Sequence, residues 1–171
     1  MANLDVLIFI GSASDWKHFQ GAIEVLRRLG LSFRVHVSSA HRTPKRTVEL
    51  VRSAEADGCR VFICGAGMAA HLAGVVAAHT LKPVLGVPLP GGVLDGVDAL
   101  LSTVQMPSGI PVATFAVGPA GARNAAVFAA QIVAGERPEL SEALEELRRE
   151  GEAKVLAGEE QIGASLDGEG G

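Results

Sequence analysis

Phe33-Arg34-Val35-His36-Val37-Ser38-Ser39-Ala40-His41-Arg42-Thr43-Pro44 reads as a strand, a turn and the start of a helix. Phe33, Val35 and Val37 alternate with polar neighbours, the period of a strand. Thr43 suits an N-cap, and Pro44 has its φ preset for a first helical turn. A turn between a strand's carboxyl end and a helix is where open α/β sheets hold ligands. Within it stand His41, able to move a proton near neutral pH, and Arg42, whose planar fork suits a phosphate.

Outward from this stretch the same alternation repeats. Leu4–Ile10 is a short apolar run closed by Gly11, the pattern of a buried parallel strand. A helix is expected from Trp16 to Leu29, with Phe19, Ala22, Ile23, Leu26 and Leu29 on one face and Gly30 as its stop. Further strands are expected at Ser32–Val37, Arg60–Cys64, Pro83–Val87 and Pro111–Val117. Helices are expected after Pro44, from Gly65 to about His79, over Leu94–Val104 and over Ala120–Ala134. Strands alternating with helices imply a parallel sheet with right-handed crossovers. Five strands suggest a flavodoxin-like, doubly wound sheet of order 2-1-3-4-5, a three-layer α/β/α domain over residues 1–134. Residues 135–158 carry Leu140, Leu144 and Leu147 among Glu and Arg, an amphipathic C-terminal helix. Residues 159–171 read as a disordered acidic tail.

Composition narrows the function. The net charge of -4 leaves no basic surface for nucleic acid, so an anionic ligand needs a local pocket. No apolar run reaches membrane-spanning length, and the N-terminus lacks a basic signal region, which gives a soluble cytoplasmic protein. Cys59 and Cys64 fit neither a zinc site nor a redox pair and read as buried thiols. No metal-ligand spacing, G-x-S-x-G elbow or ATP-binding loop is present. The helices expected at 65–79 and 120–134 are apolar all round. Covering both implies a second copy of the chain.

In a 2-1-3-4-5 sheet the loops after strands one, two and three share one crevice. The first holds Ser12, Ser14 and Asp15: the hydroxyls and loop amides suit a phosphate, while Asp15 suits sugar hydroxyls. The third, Gly65-Ala66-Gly67-Met68-Ala69-Ala70, has the form G-x-G-x-x-A. A dinucleotide fingerprint belongs after the first strand, with an acidic residue about 20 positions on. Here it follows strand three and the next strand ends without a carboxylate, so the glycines suit close approach to a small ligand. His71 lies next in the chain.

Gly11–Trp16, Ser39–Pro44, Gly65–Leu72, Leu101–Pro107 and Gly118–Gln131 together closely resemble the PurE family of purine biosynthesis, over about residues 5–134. The resemblance implies an octamer with active sites at subunit interfaces, a small ribonucleotide substrate and no cofactor. It implies a mutase that moves the carboxyl group of N5-carboxyaminoimidazole ribonucleotide from nitrogen to ring carbon 4. A second branch of the family carboxylates aminoimidazole ribonucleotide directly with CO2; Ala40-His41-Arg42-Thr43-Pro44 is similar to the mutase form. By this likeness Ser12, Asp15 and Arg42 bind substrate, with Ser14 and Ser39 in the same pocket. His41 is the acid/base, His71 stands near the carboxylate, and Gly65, Ala66 and Gly67 close on the migrating CO2. Departures are Met68 for a family glycine, Ala73 for a proline, and Pro90-Gly91-Gly92 where the family carries a polar pair. A non-catalytic nucleotide-binding homologue is the alternative of another class, and a dinucleotide oxidoreductase a third.

Overall fold

The computed structural model describes residues 4–168. The strands are β1 (Val6–Ile10), β2 (Phe33–Val37), β3 (Val61–Gly67), β4 (Val84–Leu89) and β5 (Ala113–Thr114). The helices are α1 (Gln20–Arg28), α2 (Pro44–Ala56), α3 (Leu72–Ala77), α4 (Val97–Val104), α5 (Pro119–Ala134) and α6 (Leu140–Gly168). A 3-10 helix, Ala13–His18, precedes α1. The sheet is wholly parallel, in the expected order β2-β1-β3-β4-β5. Among the described residues no helix is long and apolar enough to cross a membrane.

β1 and β3 are buried on both faces because helices cover both sides of a parallel sheet. Val6, Ile8, Ile10, Val61 and Ile63 point to one face, where Ala22, Leu26, Ala126 and Ala130 of α1 and α5 meet them. Leu7, Phe9 and Phe62 point to the other, under Val51 of α2 and Leu72 and Val76 of α3. α6 lies outside α5, touching the core through Leu140, Leu144 and Leu147. The Asp5 carboxylate, only 3% exposed, accepts from the Ser32 amide (2.8 Å) and from Arg137 (2.9 Å). That bond ties the strand origins to the segment entering α6. The pairing meets the demand that a buried charge have a partner.

Several boundaries differ from the sequence reading, each for a physical reason. β3 runs on to Gly67, because Gly65, Ala66 and Gly67 continue the ladder opposite Val87, Pro88 and Leu89. α3 is therefore only six residues, and the G-x-G segment is strand rather than the opening of a helix. The expected first helix is broken at Phe19, whose fully buried ring anchors the junction of the 3-10 turn and α1. β5 is short because Pro88 of β4 has no N–H to give it. The Thr43 hydroxyl makes no cap to α2; it accepts from the Ser39 amide at 2.9 Å and so closes the preceding turn.

The chain after 158 is helix as far as Gly168, not a disordered tail; residues 169–171 lie outside the described residues. Glu159, Glu160 and Gln161 are good helix formers, and a glycine such as Gly158 weakens a helix by about 1 kcal/mol without ending it. α3 is apolar throughout but largely covered within the chain, and α5 is not apolar all round. Leu72, Ala73 and Val76 of α3 are buried within the chain, and α5 buries its alanines against α1 while showing Arg123, Asn124 and Gln131. Exposed apolar side chains gather on and before α4, where Val93, Leu94, Val97, Leu101 and Val104 lie, and Phe128 of α5 is exposed as well.

Gly65 offers a direct test of the packing. A Cβ there would lie 2.5 Å from the Phe19 ring. Gly65→Ala is expected to lower unfolding stability by about 1–3 kcal/mol, as overpacked cores do. Urea denaturation measures it, and an unchanged midpoint would refute the contact.

Candidate functional site

The carboxyl ends of β1, β2, β3 and β4 open into one cleft of about 710 Å³. Ser12, Ser14 and Asp15 line it from the turn after β1, and Ser39, His41 and Arg42 from the turn after β2. Ala66, Gly67 and His71 line it from the β3 side. Nine of the ten residues singled out from sequence thus share one hollow; Gly65 does not line it. Its place is inside the sheet, where the missing side chain leaves room for Phe19.

The β1 turn is held by its own polar groups. Asp15 Oδ2 accepts the Ser12 amide at 2.9 Å, and the Ser12 side chain takes the Ser14 amide in return, a capping box. Ser14 Oγ donates to Ser12 Oγ at 2.9 Å. The Ser12 amide is therefore committed to Asp15 rather than open to a phosphate, which shifts anion binding toward the hydroxyls and Arg42. Burial raises the Asp15 carboxyl above the usual carboxylate value; the Ser12 amide hydrogen bond partly offsets this. A half-desolvated carboxylate at a cleft wall gains from a ligand that brings hydroxyl donors.

The β2 turn is braced from below. Ser38, 2% exposed, hydrogen-bonds to Thr47 Oγ1 at 2.8 Å. Ser39 Oγ accepts the Arg42 amide at 3.2 Å, and the Thr43 amide donates to the Ser39 carbonyl at 2.8 Å. Ser39 thus shapes the turn as well as lining the cleft. These bonds leave His41 and Arg42 at its exposed tip.

Across the cleft, His41 Nε2 lies 2.8 Å from His71 Nδ1, with the rings edge to face at 79°. One nitrogen must carry the proton and the other must not. While that bond stands, the two imidazoles hold at most three ring protons and one positive charge. His41 Nδ1 and His71 Nε2 are the nitrogens outside it. Sequence placed both residues at the crevice but gave no sign that they touch.

The sequence reading also underweighted the fourth wall. Pro90, Gly91 and Gly92 line the cleft, as does Met68. Strand order carried that signal, since β4 is the neighbour of β3 and ends on the same side. A larger hollow, about 1150 Å³, lies at the opposite ends of β4 and β5 around Leu85 and Phe128, away from the histidine pair. Cys59 and Cys64 are free and buried; burial pushes the Cys59 thiol up to about 11 and raises Cys64 as well. Among the described residues no group of three or more His, Cys, Asp or Glu is arranged to hold a metal ion.

A doubly wound α/β protein with a histidine pair at its switch-point cleft is the class these features define. The chain belongs to the AIR carboxylase family, whose sequence profile matches residues 5–154. A protein of Escherichia coli strain K12 named N5-carboxyaminoimidazole ribonucleotide mutase is 49% identical over 160 residues, 94% of this chain and 95% of that one. A Haemophilus influenzae protein of the same name is 53% identical over 130 residues, 76% of this chain and 79% of that one. A crystal structure of Treponema denticola PurE superposes with a TM-score of 0.81 at 27% identity, covering 91% of this chain and 96% of that chain.

The Asp15 environment has a pH signature. Its folded pKa is raised, so its contribution to stability is greatest below the usual carboxylate value and is lost as the pH rises through the raised one. Asp15→Asn keeps an oxygen for the Ser12 amide and removes the charge. Relative to the wild type, the variant is expected to gain stability as pH is taken from the acid side to neutrality. Urea melts across that range test it; parallel curves would mean Asp15 is not desolvated.

Proposed function

We propose that this protein is a mutase of purine biosynthesis, converting N5-carboxyaminoimidazole ribonucleotide to its C4-carboxylated isomer. The observation that carries the reading is the His41–His71 pair at the switch-point cleft. The names of relatives matched over nearly the whole chain support it. In this reading the ribonucleotide phosphate meets Arg42 and the Ser12 and Ser14 hydroxyls, the ribose hydroxyls donate to Asp15, and the base lies toward Gly67 and His71.

The chemistry balances without a co-reactant. The bond between the exocyclic nitrogen and the carboxyl carbon breaks, its electron pair stays on nitrogen, and nitrogen gains a proton. Ring carbon 4 then attacks the freed CO2, and its own proton leaves. One group placed to give the first proton and take the second closes the cycle, and a histidine suits both steps near neutral pH. His41 has that role. Its hydrogen bond to His71 fixes the ring and limits the pair to a single charge, so that a proton arriving at one imidazole favours departure from the other. Holding CO2 beside carbon 4 supplies the rest through proximity. No step needs a metal or a redox group.

A second reading is favoured by the family's own description, AIR carboxylase: direct carboxylation of aminoimidazole ribonucleotide by CO2. Incubation with N5-carboxyaminoimidazole ribonucleotide, without added bicarbonate, separates the two. The mutase forms C4-carboxylated product there. Product formed only from aminoimidazole ribonucleotide plus bicarbonate would favour the carboxylase, and binding without product a nucleotide-binding module. His41→Asn is expected to lower kcat by about 10²–10⁴-fold with the fold intact, the usual range for loss of an acid–base group.

We also propose that the chain works in the cytoplasm as a homo-octamer with its clefts at subunit interfaces. The support is the apolar run of Leu94, Val97, Leu101 and Val104, each about half exposed in the single chain. Val97, Leu101 and Val104, spaced by four and three, form one stripe along α4, with Leu94 in the turn before it, and a soluble protein rarely leaves such a patch bare. Leu101→Arg is expected to yield smaller species by light scattering, with monomer secondary structure retained by circular dichroism. An unchanged mass would remove α4 from the interface.

A further inference from the structure

The turn that carries His41 is a short excursion from a closed base. Just past β2 the Ser38 amide still donates to the Ile10 carbonyl at 2.9 Å, so that end is fixed to the sheet. The chain leaves the sheet at Ser39 and enters α2 at Pro44. Between them, Thr43 Oγ1 accepts the Ser39 amide at 2.9 Å and donates to the Ser39 carbonyl at 3.1 Å. The Thr43 amide donates to the same carbonyl at 2.8 Å. One hydroxyl therefore holds both backbone groups of Ser39, and residues 40–42 loop out above it. Of those three, among the described residues, only the Arg42 amide has a hydrogen bond from its backbone, to Ser39 Oγ at 3.2 Å. His41 stands in the middle of the loop, with neither its amide nor its carbonyl tied.

The hydroxyl is turned away from its ordinary role. Thr43 stands at the N-cap position of α2, where a threonine oxygen usually takes an amide of the first turn. Here it caps nothing. Below it, the buried Thr47 donates its hydroxyl to the Thr43 carbonyl at 3.2 Å and is bonded to the buried Ser38 at 2.8 Å, so the base is fixed from both ends. Thr43 itself does not line the cleft. What it controls is the place of His41. The His41 ring is exposed, and its one hydrogen bond among the described residues is to His71 Nδ1 at 2.8 Å. A base that opens by an ångström breaks that contact, and a misplacement of this size costs on the order of 10²-fold in rate.

We propose that Thr43 is a positioning residue for the acid–base step: its hydroxyl, clamped to both backbone groups of Ser39, sets where His41 stands relative to His71 and the substrate. This rests on the mutase reading. Thr43 touches neither the substrate nor the reacting atoms, so it acts on turnover through His41. Arg42 is held separately, through Ser39 Oγ, and phosphate binding depends less on the clamp.

The test is a double-mutant cycle on the full-length protein, read as C4-carboxylated product formed from N5-carboxyaminoimidazole ribonucleotide. Thr43→Val keeps the shape of the side chain and removes the hydroxyl; Thr43→Ser keeps the hydroxyl. Thr43→Val is expected to lower kcat by about tenfold or more with KM changed by less than about threefold, the pattern of an interaction made mainly in the transition state. Thr43→Ser is expected to stay within about threefold of the wild type, because the clamp survives. In the His41→Asn background Thr43→Val is expected to cost less than about twofold more, since residues that act as a unit are non-additive. A threonine with a merely structural role would cost the same factor in both backgrounds. That result, or equal losses in Thr43→Val and Thr43→Ser, or wild-type turnover in Thr43→Val, would overturn the assignment. If Thr43→Val does not fold, Thr43→Ala takes its place in the cycle. Failure of the underlying reading shows elsewhere, in wild-type protein that forms no C4-carboxylated product from the carbamate, and that result would overturn both.

Discussion

The hydrogen bond from the Gly11 amide to the Gly65 carbonyl, 3.0 Å long, closes the β1–β3 ladder at the mouth of the cleft. Up to that bond the two strands are packed on both faces and their backbone groups are paired with each other. Beyond it the chains part, β1 into the capped serine turn and β3 on toward Gly67, still paired with β4. Everything placed in the cleft is placed relative to this divergence. It demands glycine at 65, because Phe19 fills the space a side chain would need. Phe19 in turn ends the 3-10 helix that carries Asp15 and begins α1. One backbone contact and one ring therefore couple the core to the wall that faces the ligand.

Much of this was legible in the chain itself. The alternation at Phe33–Val37 and the apolar runs at Val6–Ile10 and Val61–Ile63 encode strands whose burial follows from their side chains alone. The order 2-1-3-4-5 is one of the common orders of doubly wound sheets, and five strands suggested it. The gathering of Ser12, Asp15, His41 and His71 follows from the order. What escaped the reading depends on contacts distant in sequence. Gly65 looked like a ligand-approach glycine because nothing nearby in sequence reveals Phe19 above it. Thr43 looked like a helix cap because its hydroxyl's other partner, the Ser39 amide, is supplied by the curl of the turn. The residues past 158 looked disordered because acidic, glycine-rich composition outweighed the helix propensity of Glu159–Gln161. The apolar character of α5 was real, yet its neighbours α1 and α6 cover it, and composition cannot assign neighbours.

The electrostatics of the cleft are divided in the same way. Asp15 is half withdrawn from water and holds its own loop together, so its charge is kept close to the backbone that needs it. His41 and Arg42 stand exposed on the far side, carried by a turn whose hydroxyl and amide groups are largely committed to one another. The acidic wall and the basic wall are built on different strand ends. A ligand bearing both an anionic group and hydroxyl donors is the one that spans them.

The sheet order also bears on how the protein comes to exist. β1 pairs with β3 across more than fifty residues, and β3 must then pair with β4 before the fourth wall of the cleft is present. Contacts so far apart in the chain carry a loop-closure entropy that must be met before the pairing is rewarded, and parallel sheets are accordingly slow to form. A nascent chain that has emerged only as far as Cys64 holds His41 but not His71, Asp15 but not Gly92. The binding wall and its opposing face are synthesised in separate instalments, and no fragment ending short of β4 encloses anything.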